Sequence, residues 1–311
     1  MKISVVIWVK DEADVLALAV RQLLRGGVYS VNIMDDGSTD GTAQVIADLC
    51  AAHDQVHPIP RTQILSEALQ LDGPVFGPVV ARDGSDWLMV TDPDEFWLPR
   101  SGDLRQTRAL ENHDVVVVER FNAALPLGPV ALDPLSTDAG LRDLPLLVAR
   151  TPLSRQAMAE DPDLRWVTHR IGPKLMVRPE TVQSYGLGMH QVATADESLL
   201  RRARGQDIVV AHLPFTTYAR FERKVQNIAH VFDRYDDAHS GNIAWHWRRW
   251  LEIYRAGGLR AEFDRQFYTP EDLAAMTEAG SVRTAHGIFE DRRAEALARR
   301  AARAAAEAGG S

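Results

Sequence analysis

Apolar runs of strand length alternate with helical patterns through the first 121 residues, and this alternation is what most constrains the fold. The strand-like runs lie at residues 2–9, 30–34, 55–59, 86–92 and 114–121. Helical spacing covers residues 13–25, the stretch after Asp40 through Leu49, and residues 64–71, with Asp11 and Asp40 as predicted caps. Strand–helix alternation predicts a mostly parallel sheet with right-handed crossovers. We therefore expect an α/β fold with a Rossmann-like, mostly parallel central sheet flanked by helices.

The second half of the chain is less regular. The alternation weakens between residues 123 and 154, and residues 173–182 and 207–213 predict further strands. After Thr216 the pattern turns helical and ends in an Ala/Arg/Glu-rich helix at 291–308. We expect a first half at 1–122, a second half of the same domain at 123–235, and a helical C-terminal extension at 236–311.

Composition excludes several classes of protein. The 311 residues are 45% hydrophobic, enough for an ordinary globular core, and the net charge of −8 disfavours a nucleic-acid binder. The single cysteine, Cys50, gives neither a disulfide framework nor a cysteine metal site. The first apolar run is too short for a signal peptide, and no run approaches the ~20 residues of a membrane span. A cytoplasmic location is expected.

Three carboxylates, Asp92, Asp94 and Glu95, crowd within four positions at the end of the 86–92 strand, with Pro93 between them. Burying them unpaired would cost several kcal/mol each. A divalent cation, Mn²⁺ or Mg²⁺, held by Asp92 and Asp94 would offset the repulsion and keep positions open for a diphosphate. The alternative is a solvated acidic turn, which Phe96 and Trp97 directly after it disfavour.

A second acidic motif, DDGSTDGT at residues 35–42, follows the second strand. Ligands of parallel sheets bind at the carboxyl ends of strands, where both acidic motifs fall. Carboxylates before a glycine turn and a helix start can accept hydrogen bonds from a base or ribose hydroxyls. The motif is not a phosphate-binding P-loop, because it lacks the GK[ST] ending. A capped strand-to-helix turn is the structural alternative.

Lysine is rare in this chain. Of the 35 Lys and Arg residues only Lys2, Lys10, Lys174 and Lys224 are lysines. A lysine kept against such a preference is expected where its compact ammonium is required. With so few lysines, chance is the alternative.

The order KDE, DDGSTDGT, DWLMVTDPDEFW resembles the nucleotide-sugar-binding half of family 2 glycosyltransferases, which have the GT-A fold. The later segments GPKLMVRPETV, GLGMH and AHLPFTTYARFERKVQN resemble the subgroup related to family 92. The likeness covers roughly residues 1–227. It implies inverting, metal-dependent sugar transfer from a nucleoside-diphosphate sugar, with UDP favoured, in bacterial surface polysaccharide synthesis. The halves at 1–122 and 123–235 would then face the donor and the acceptor.

The resemblance also implies roles for individual residues. Glu12 and Asp35 would contact the nucleoside with Asp36 close by, Asp92 would lie near the ribose or the metal, and Asp94 would be the main metal ligand. Histidine is a good ligand for manganese, and His212 would close the metal site. Lys224 and Arg220 would be helix cations available to the diphosphate. Where the subgroup often has a basic residue and a serine, this chain has Thr216 and Thr217.

Inversion needs a base that deprotonates the acceptor hydroxyl. The family places an acidic residue about a hundred positions after D-x-D, and Asp196, beside Glu197, has that spacing. His190 is the other candidate, and Asp161 and Asp163 come next. A helix N-cap is the structural alternative for Asp196.

Residues 245–254, WHWRRWLEIY, put Trp247, Trp250 and Tyr254 on one helical face. Such a face usually packs on a core; the alternative is an interfacial anchor that brings the protein to a membrane bearing a lipid-linked acceptor.

Two other functions remain open. A nucleotide-sugar-binding protein without activity would share the donor motifs. A sugar nucleotidyltransferase would normally carry a glycine-rich basic loop after the first strand, where this chain has KDEADV.

Overall fold

The computed structural model describes residues 1–61, 71–128, 132, 135, 137–186, 190–194, 200–235 and 245–309. Its strands are β1 (Ile3–Val9), β2 (Ser30–Asp35), β3 (Val56–Pro58), β4 (Leu71–Asp72), β5 (Trp87–Thr91), β6 (Glu95–Pro99), β7 (Val115–Val118), β8 (Arg120–Asn122), β9 (Leu146–Leu147), β10 (Lys174–Val177), β11 (Ser184–Tyr185), β12 (Val192–Ala193), β13 (Arg202–Arg204), β14 (Ile208–His212) and β15 (Val282–Arg283). Its helices are α1 (Ala13–Arg25), α2 (Thr42–Ala52), α3 (Gly73–Asp83), α4 (Asp138–Arg142), α5 (Arg155–Glu160), α6 (Tyr218–Tyr235), α7 (Trp245–Arg255), α8 (Leu259–Arg265), α9 (Pro270–Glu278) and α10 (Ala285–Gly309).

A central sheet organises the fold, in the order β13-β7-β10-β5-β1-β2-β3. All its neighbouring strands are parallel except β10, which runs antiparallel to both β5 and β7. Its middle strands β1 and β5 are buried along their whole length and apolar except for Ser4 and Thr91, as expected for a sheet covered on both faces. The predicted α/β class, with a mostly parallel central sheet flanked by helices, is confirmed.

The predicted cap at Asp11 is wrong, whereas the Asp40 carboxylate accepts from the backbone N–H of Thr42, the first residue of α2, at 2.8 Å and from that of Ala13, the first residue of α1, at 3.3 Å. Helix α1 starts after Glu12 and α2 after Gly41, and neither of these cap residues makes a side-chain cap bond. Asp11 has a positive φ of 55° and accepts hydrogen bonds from the backbone of Thr39 and Asp40 instead. A carboxylate that ties two loops together is therefore not free to cap its own helix.

The single strand predicted at 114–121 is two strands. After Val118 the chain leaves the central sheet, and β8 joins a second sheet in the order β6-β14-β8. β14 pairs antiparallel to β6 and parallel to β8, so its last residue, His212, lies opposite both Glu95 and Asn122. This register brings the end of β14 to the acidic turn between β5 and β6. The helix predicted at 64–71 falls mostly outside the described residues.

The largest apolar cluster runs from Leu18 of α1 through Phe96 of β6 to Phe289 of α10, so residues after 236 pack into the same core as those before. The aromatic helix α7 belongs to this core: Trp250 is buried, and Trp247 and Tyr254 are partly buried against the cluster. The core alternative for this helix is therefore the correct one. No helix among the described ranges is long and apolar enough to cross a membrane.

Candidate functional site

The acidic turn at residues 92–94 joins the two main sheets. It leaves β5 in the central sheet and enters β6 in the second sheet. The backbone N–H of Leu213 donates to the Asp94 carbonyl at 2.9 Å, which fixes the end of β14 against the turn. The structure thus places His212 at the turn that carries Asp92 and Asp94, although it stands about 120 positions later in the chain.

The hydrogen bonds of His212 define which of its nitrogens is free. The Asn122 amide donates to the Val167 carbonyl at 2.7 Å, so the Asn122 side-chain oxygen faces His212 Nδ1, at 2.7 Å, as the acceptor. The proton of the neutral ring therefore sits on Nδ1. Burial lowers the pKa of His212 well below its usual value, which keeps the ring neutral at pH 7.

The remaining nitrogen, His212 Nε2, lies 3.7 Å from Asp94 Oδ1. Two electron-pair donors that face each other at this distance repel unless a cation lies between them. Imidazole nitrogen and carboxylate oxygen are suitable ligands for Mn²⁺, so these residues fit a divalent cation. Within the described ranges, no group of three or more His, Cys, Asp or Glu side chains is arranged to hold a metal. Water or ligand oxygens would have to supply the remaining positions.

Asp94 also belongs to a buried set of four charges that we call the helix quartet: Glu12, Asp94, Arg220 and Lys224. Both cations come from helix α6. Arg220 donates to Glu12 and, at 2.8 Å, to Asp94 Oδ2. Lys224 Nζ lies 2.7 Å from Glu12 Oε1 and 2.9 Å from Asp94 Oδ2. Two carboxylates and two cations make the set neutral, which is how four charges tolerate burial.

A second neutral set, the strand quartet, consists of Asp92, Glu95, Arg120 and Lys174. The Lys174 ammonium is fully buried and lies 2.9 Å from Asp92 Oδ2 and 3.0 Å from Glu95 Oε2. Arg120 pairs with the other oxygen of Glu95. Glu95 also accepts from the Thr91 hydroxyl and the Asp92 backbone N–H, so it holds the acidic turn in shape.

The carboxylates of each quartet differ in acidity. Burial opposes the ionisation of all four and raises the pKa of Glu12 and Glu95. For Asp94 the attraction of Lys224 and Arg220 outweighs burial and holds the pKa well below its ordinary value. Lys174 does the same, to a smaller extent, for the pKa of Asp92. The two carboxylates predicted to bind metal are thus the ones whose pKa is lowered.

The DDGSTDGT motif forms a tight turn beside this site. Asp35 accepts from the backbone N–H and hydroxyl of Ser38, and the buried Asp36 pairs with Arg61 at 2.8 Å. Glu12 has both carboxylate oxygens on Arg220 and Lys224. Contacts of Asp35, Asp36 and Glu12 with a nucleoside remain predictions.

The surroundings of His190 disfavour it as a base. Its Nδ1 lies 2.8 Å from the Pro173 carbonyl, and its Nε2 lies 3.4 Å from an Arg120 nitrogen. Burial and the charges of Arg120 and Lys174 lower its pKa to about 3, too low for a proton acceptor near neutral pH. Asp196 and Glu197 lie outside the described residues.

Sequence reasoning missed Lys174 and Arg120 as members of the site, named Glu95 in the acidic cluster without giving it a role, and gave Arg220 no role in holding Asp94. One signal was available: two of the four lysines, Lys174 and Lys224, are site residues. The pairing itself was not visible, because Arg220 stands 208 positions from Glu12.

The sequence model of the family described as Glycosyl transferase family 2 matches residues 4–70, which span β1 to β3 and the DDGSTDGT motif. A search of curated protein sequences finds no match.

Several solved structures are similar to this chain. The S. aureus TarS fragment 1–349 is 11% identical over 86% of this chain and 90% of its own, with a TM-score of 0.39. The mannosyltransferase PcManGT from Pyrobaculum calidifontis, in complex with GDP-Man and Mn²⁺, is 15% identical over 95% of this chain and 80% of its own, with a TM-score of 0.39. Glucosyl-3-phosphoglycerate synthase from Mycobacterium tuberculosis, with Mn²⁺ and UDP, is 16% identical over 58% of each chain, with a TM-score of 0.30. At scores this low, no ligand or residue role transfers to this chain.

Proposed function

We propose that this protein is a glycosyltransferase of the GT-A type that takes a nucleoside-diphosphate sugar, with UDP favoured, and transfers its sugar with inversion to an acceptor hydroxyl. The acceptor is a glycan or a lipid-linked glycan in bacterial surface polysaccharide synthesis. The match of residues 4–70 to the glycosyl transferase family supports the class of reaction. The relation to the family 92 subgroup rests on the sequence motifs alone.

One observation carries the proposal. The unprotonated Nε2 of His212 faces the ionised Asp94 at 3.7 Å, beside a partly exposed Asp92, at the carboxyl end of a parallel strand. These donors and this position at a strand end suit a metal–diphosphate complex, which supports the proposal. Asp94 and His212 would hold the divalent cation, with water or phosphate oxygens at its other positions and Asp92 beside it, and its charge would stabilise the departing diphosphate.

The helix quartet supplies the protein's own positive charge to the same place. Lys224 Nζ lies within 3 Å of Asp94 and its side chain is 19% exposed, so it can move from Asp94 to a phosphate oxygen. Arg220 is fully buried and keeps Glu12 and Asp94 apart. We assign Lys224 to diphosphate binding and Arg220 to positioning Asp94.

The nucleoside is assigned to the side of Glu12, Asp35 and Asp36. Lys10 donates to the Asp36 carbonyl at 3.2 Å and Arg61 pairs with its carboxylate, so the turn is held in one conformation. A turn fixed in this way can read the hydrogen-bonding groups of a base or ribose without a large ordering cost. For the catalytic base we keep Asp196 ahead of His190, because the pKa of His190 is about 3.

The test is turnover of a panel of sugar nucleotides by the purified protein, followed by mass spectrometry with and without Mn²⁺. We expect metal-dependent release of the nucleoside diphosphate from one donor, and its loss in His212→Ala. His286→Ala, on the exposed face of α10, is the matched control and should keep wild-type activity. Donor binding without turnover would indicate a binding protein. Formation of a sugar nucleotide from a nucleoside triphosphate and a sugar phosphate would indicate a nucleotidyltransferase.

A further inference from the structure

A groove rich in arginine lies away from the candidate site. Its volume is about 1110 Å³, and six of its lining residues are arginines, which define the arginine groove: Arg100, Arg108, Arg204, Arg292, Arg293 and Arg300. One wall is a single face of helix α10, where residues 289, 292, 293, 296, 297 and 300 recur at helical spacing. The other wall comes from the segments that follow β6, precede β7 and join β13 to β14.

Arg292 has a structural role in the groove, because its guanidinium is already bonded to other groups of the protein. Its guanidinium pairs with Glu119 at 2.7 Å and donates to the carbonyls of Gly205, Gln206 and Ile208. These bonds tie α10 to the connection between β13 and β14. The two walls are therefore held at a fixed separation by a partly buried side chain.

The other five arginines of the groove have fewer carboxylate partners than positive charges. Arg100 pairs with Glu290 at 2.9 Å, and Arg293 reaches the same carboxylate at 3.8 Å. Arg108, Arg204 and Arg300 are exposed and have no carboxylate partner within the described part of the chain. Among the described residues that line the groove, Asp207 is the one carboxylate. Such a concentration of positive charge stands out in a chain whose net charge is −8.

The arginine groove is separate from the proposed donor site. Asp207 lies just before β14 and lines the groove, whereas His212 ends β14 and faces Asp94. Five steps of a strand at about 3.3 Å each put these two ends roughly 16 Å apart. The groove is therefore a different site from the one proposed for the sugar donor.

We propose that the arginine groove binds a phosphate-bearing ligand with more than one phosphate group. The planar guanidinium fork matches phosphate oxygens in bidentate fashion, and three unpaired forks can engage several oxygens at once. The groove is held open by Arg292, so binding requires little rearrangement. Leu297, which is 56% exposed on the α10 wall, places an apolar side chain beside the charges. The phosphates belong either to a soluble polyphosphorylated compound or to the headgroups of an anionic lipid surface.

The test uses two probes and two matched variants. Tripolyphosphate is titrated calorimetrically in EDTA, which removes any divalent cation from the strand-end site. Vesicles of phosphatidylcholine with and without phosphatidylglycerol are used in co-sedimentation. The groove variant is Arg108→Gln/Arg204→Gln/Arg300→Gln. The control, Arg21→Gln/Arg260→Gln/Arg299→Gln, removes the same charge from exposed positions that do not line the groove.

We expect the wild type and the control to bind at least one probe, and the groove variant to bind it about tenfold more weakly or not at all. Binding of tripolyphosphate alone identifies a soluble ligand, and binding of phosphatidylglycerol vesicles alone identifies a lipid surface. The proposal is overturned if the wild type binds neither probe, or if the groove variant and the control lose binding equally. Equal melting temperatures of the two variants guard against loss of the fold as the cause.

Discussion

The helix quartet and the strand quartet contain the same charges, two carboxylates and two cations. They differ in which of these groups is exposed to solvent. In the helix quartet both carboxylates are buried and the Lys224 cation is 19% exposed. In the strand quartet the Lys174 cation is fully buried and the Asp92 carboxylate is 38% exposed. One quartet therefore presents positive charge and the other negative charge, on either side of the same acidic turn.

This difference suits the two parts of a metal–diphosphate ligand. An exposed ammonium can accept a phosphate oxygen as a new partner, and an exposed carboxylate can accept a cation. In each quartet one buried cation, Arg220 or Lys174, stays bonded to the carboxylates, so the exposed group is not held in a single closed ion pair. Neutral sets of this kind let charged groups stay ionised in a protein interior until a ligand arrives.

The largest effect that separates the quartets is expected on stability. Arg220→Met leaves Glu12 and Asp94 buried with only Lys224 between them, so the free energy of unfolding should fall by about 3–5 kcal/mol. Urea denaturation measures it. Arg223→Met, three residues along α6 and with a 4.0 Å contact to Asp40, should cost less than about 1 kcal/mol. A loss for Arg220→Met as small as that of the control would show that the helix quartet does not depend on its guanidinium.

A smaller loss is expected from the strand quartet. Lys174→Met leaves Glu95 paired with Arg120, and Asp92 can turn to water, so the free energy of unfolding should fall by about 1–3 kcal/mol. Without Lys174 the pKa of Asp92 should rise, and the variant should need a higher pH for metal-dependent binding. Lys174→Arg restores the charge and should recover part of both losses. A larger loss of unfolding free energy for Lys174→Met than for Arg220→Met would contradict this difference between the two quartets.

The smallest effect concerns pH and the histidine beside the strand quartet. The pKa of His190 is lowered from 6.5 to about 3 in the folded chain, mainly by burial and then by Arg120. The unfolded chain therefore binds the extra proton first, so this contribution to stability is present above pH 6.5 and is lost as pH falls towards 3. Between pH 6.5 and 5.5 the stability advantage of the wild type over His190→Gln should shrink by about 1 kcal/mol. Urea denaturation at both pH values would reveal it, and an advantage that stays constant would mean that His190 titrates normally.

The strands and the strand-end position of both acidic motifs were predictable, because apolar runs and their acidic ends are local patterns. Strands β1, β2, β5 and β14 lie where the sequence predicts them. The errors occurred where tertiary contacts override local preference. Asp11 serves a neighbouring loop instead of capping α1, and residues 114–121 divide between two sheets at Glu119.

The clustering of the site's carboxylates could be predicted from the sequence, but their pairing with cations could not. The carboxylates cluster within the sequence, so their meeting at one strand end could be foreseen. Their partners Arg120, Lys174 and Arg220 arrive through strand register and helix docking over tens to hundreds of residues. No local periodicity encodes such pairings, and the rarity of lysine was the one trace of them in the composition.

The most direct test of the account is whether the Asp94–His212 pair binds a divalent cation together with a nucleoside diphosphate. Electron paramagnetic resonance of Mn²⁺ reports free ion, which disappears on binding. In the presence of UDP the wild type should take up one Mn²⁺ per chain, and Asp94→Asn and His212→Ala should each take up far less while remaining folded. Uptake by either variant equal to that of the wild type, or UDP binding of the same affinity in EDTA as in Mn²⁺, would contradict it.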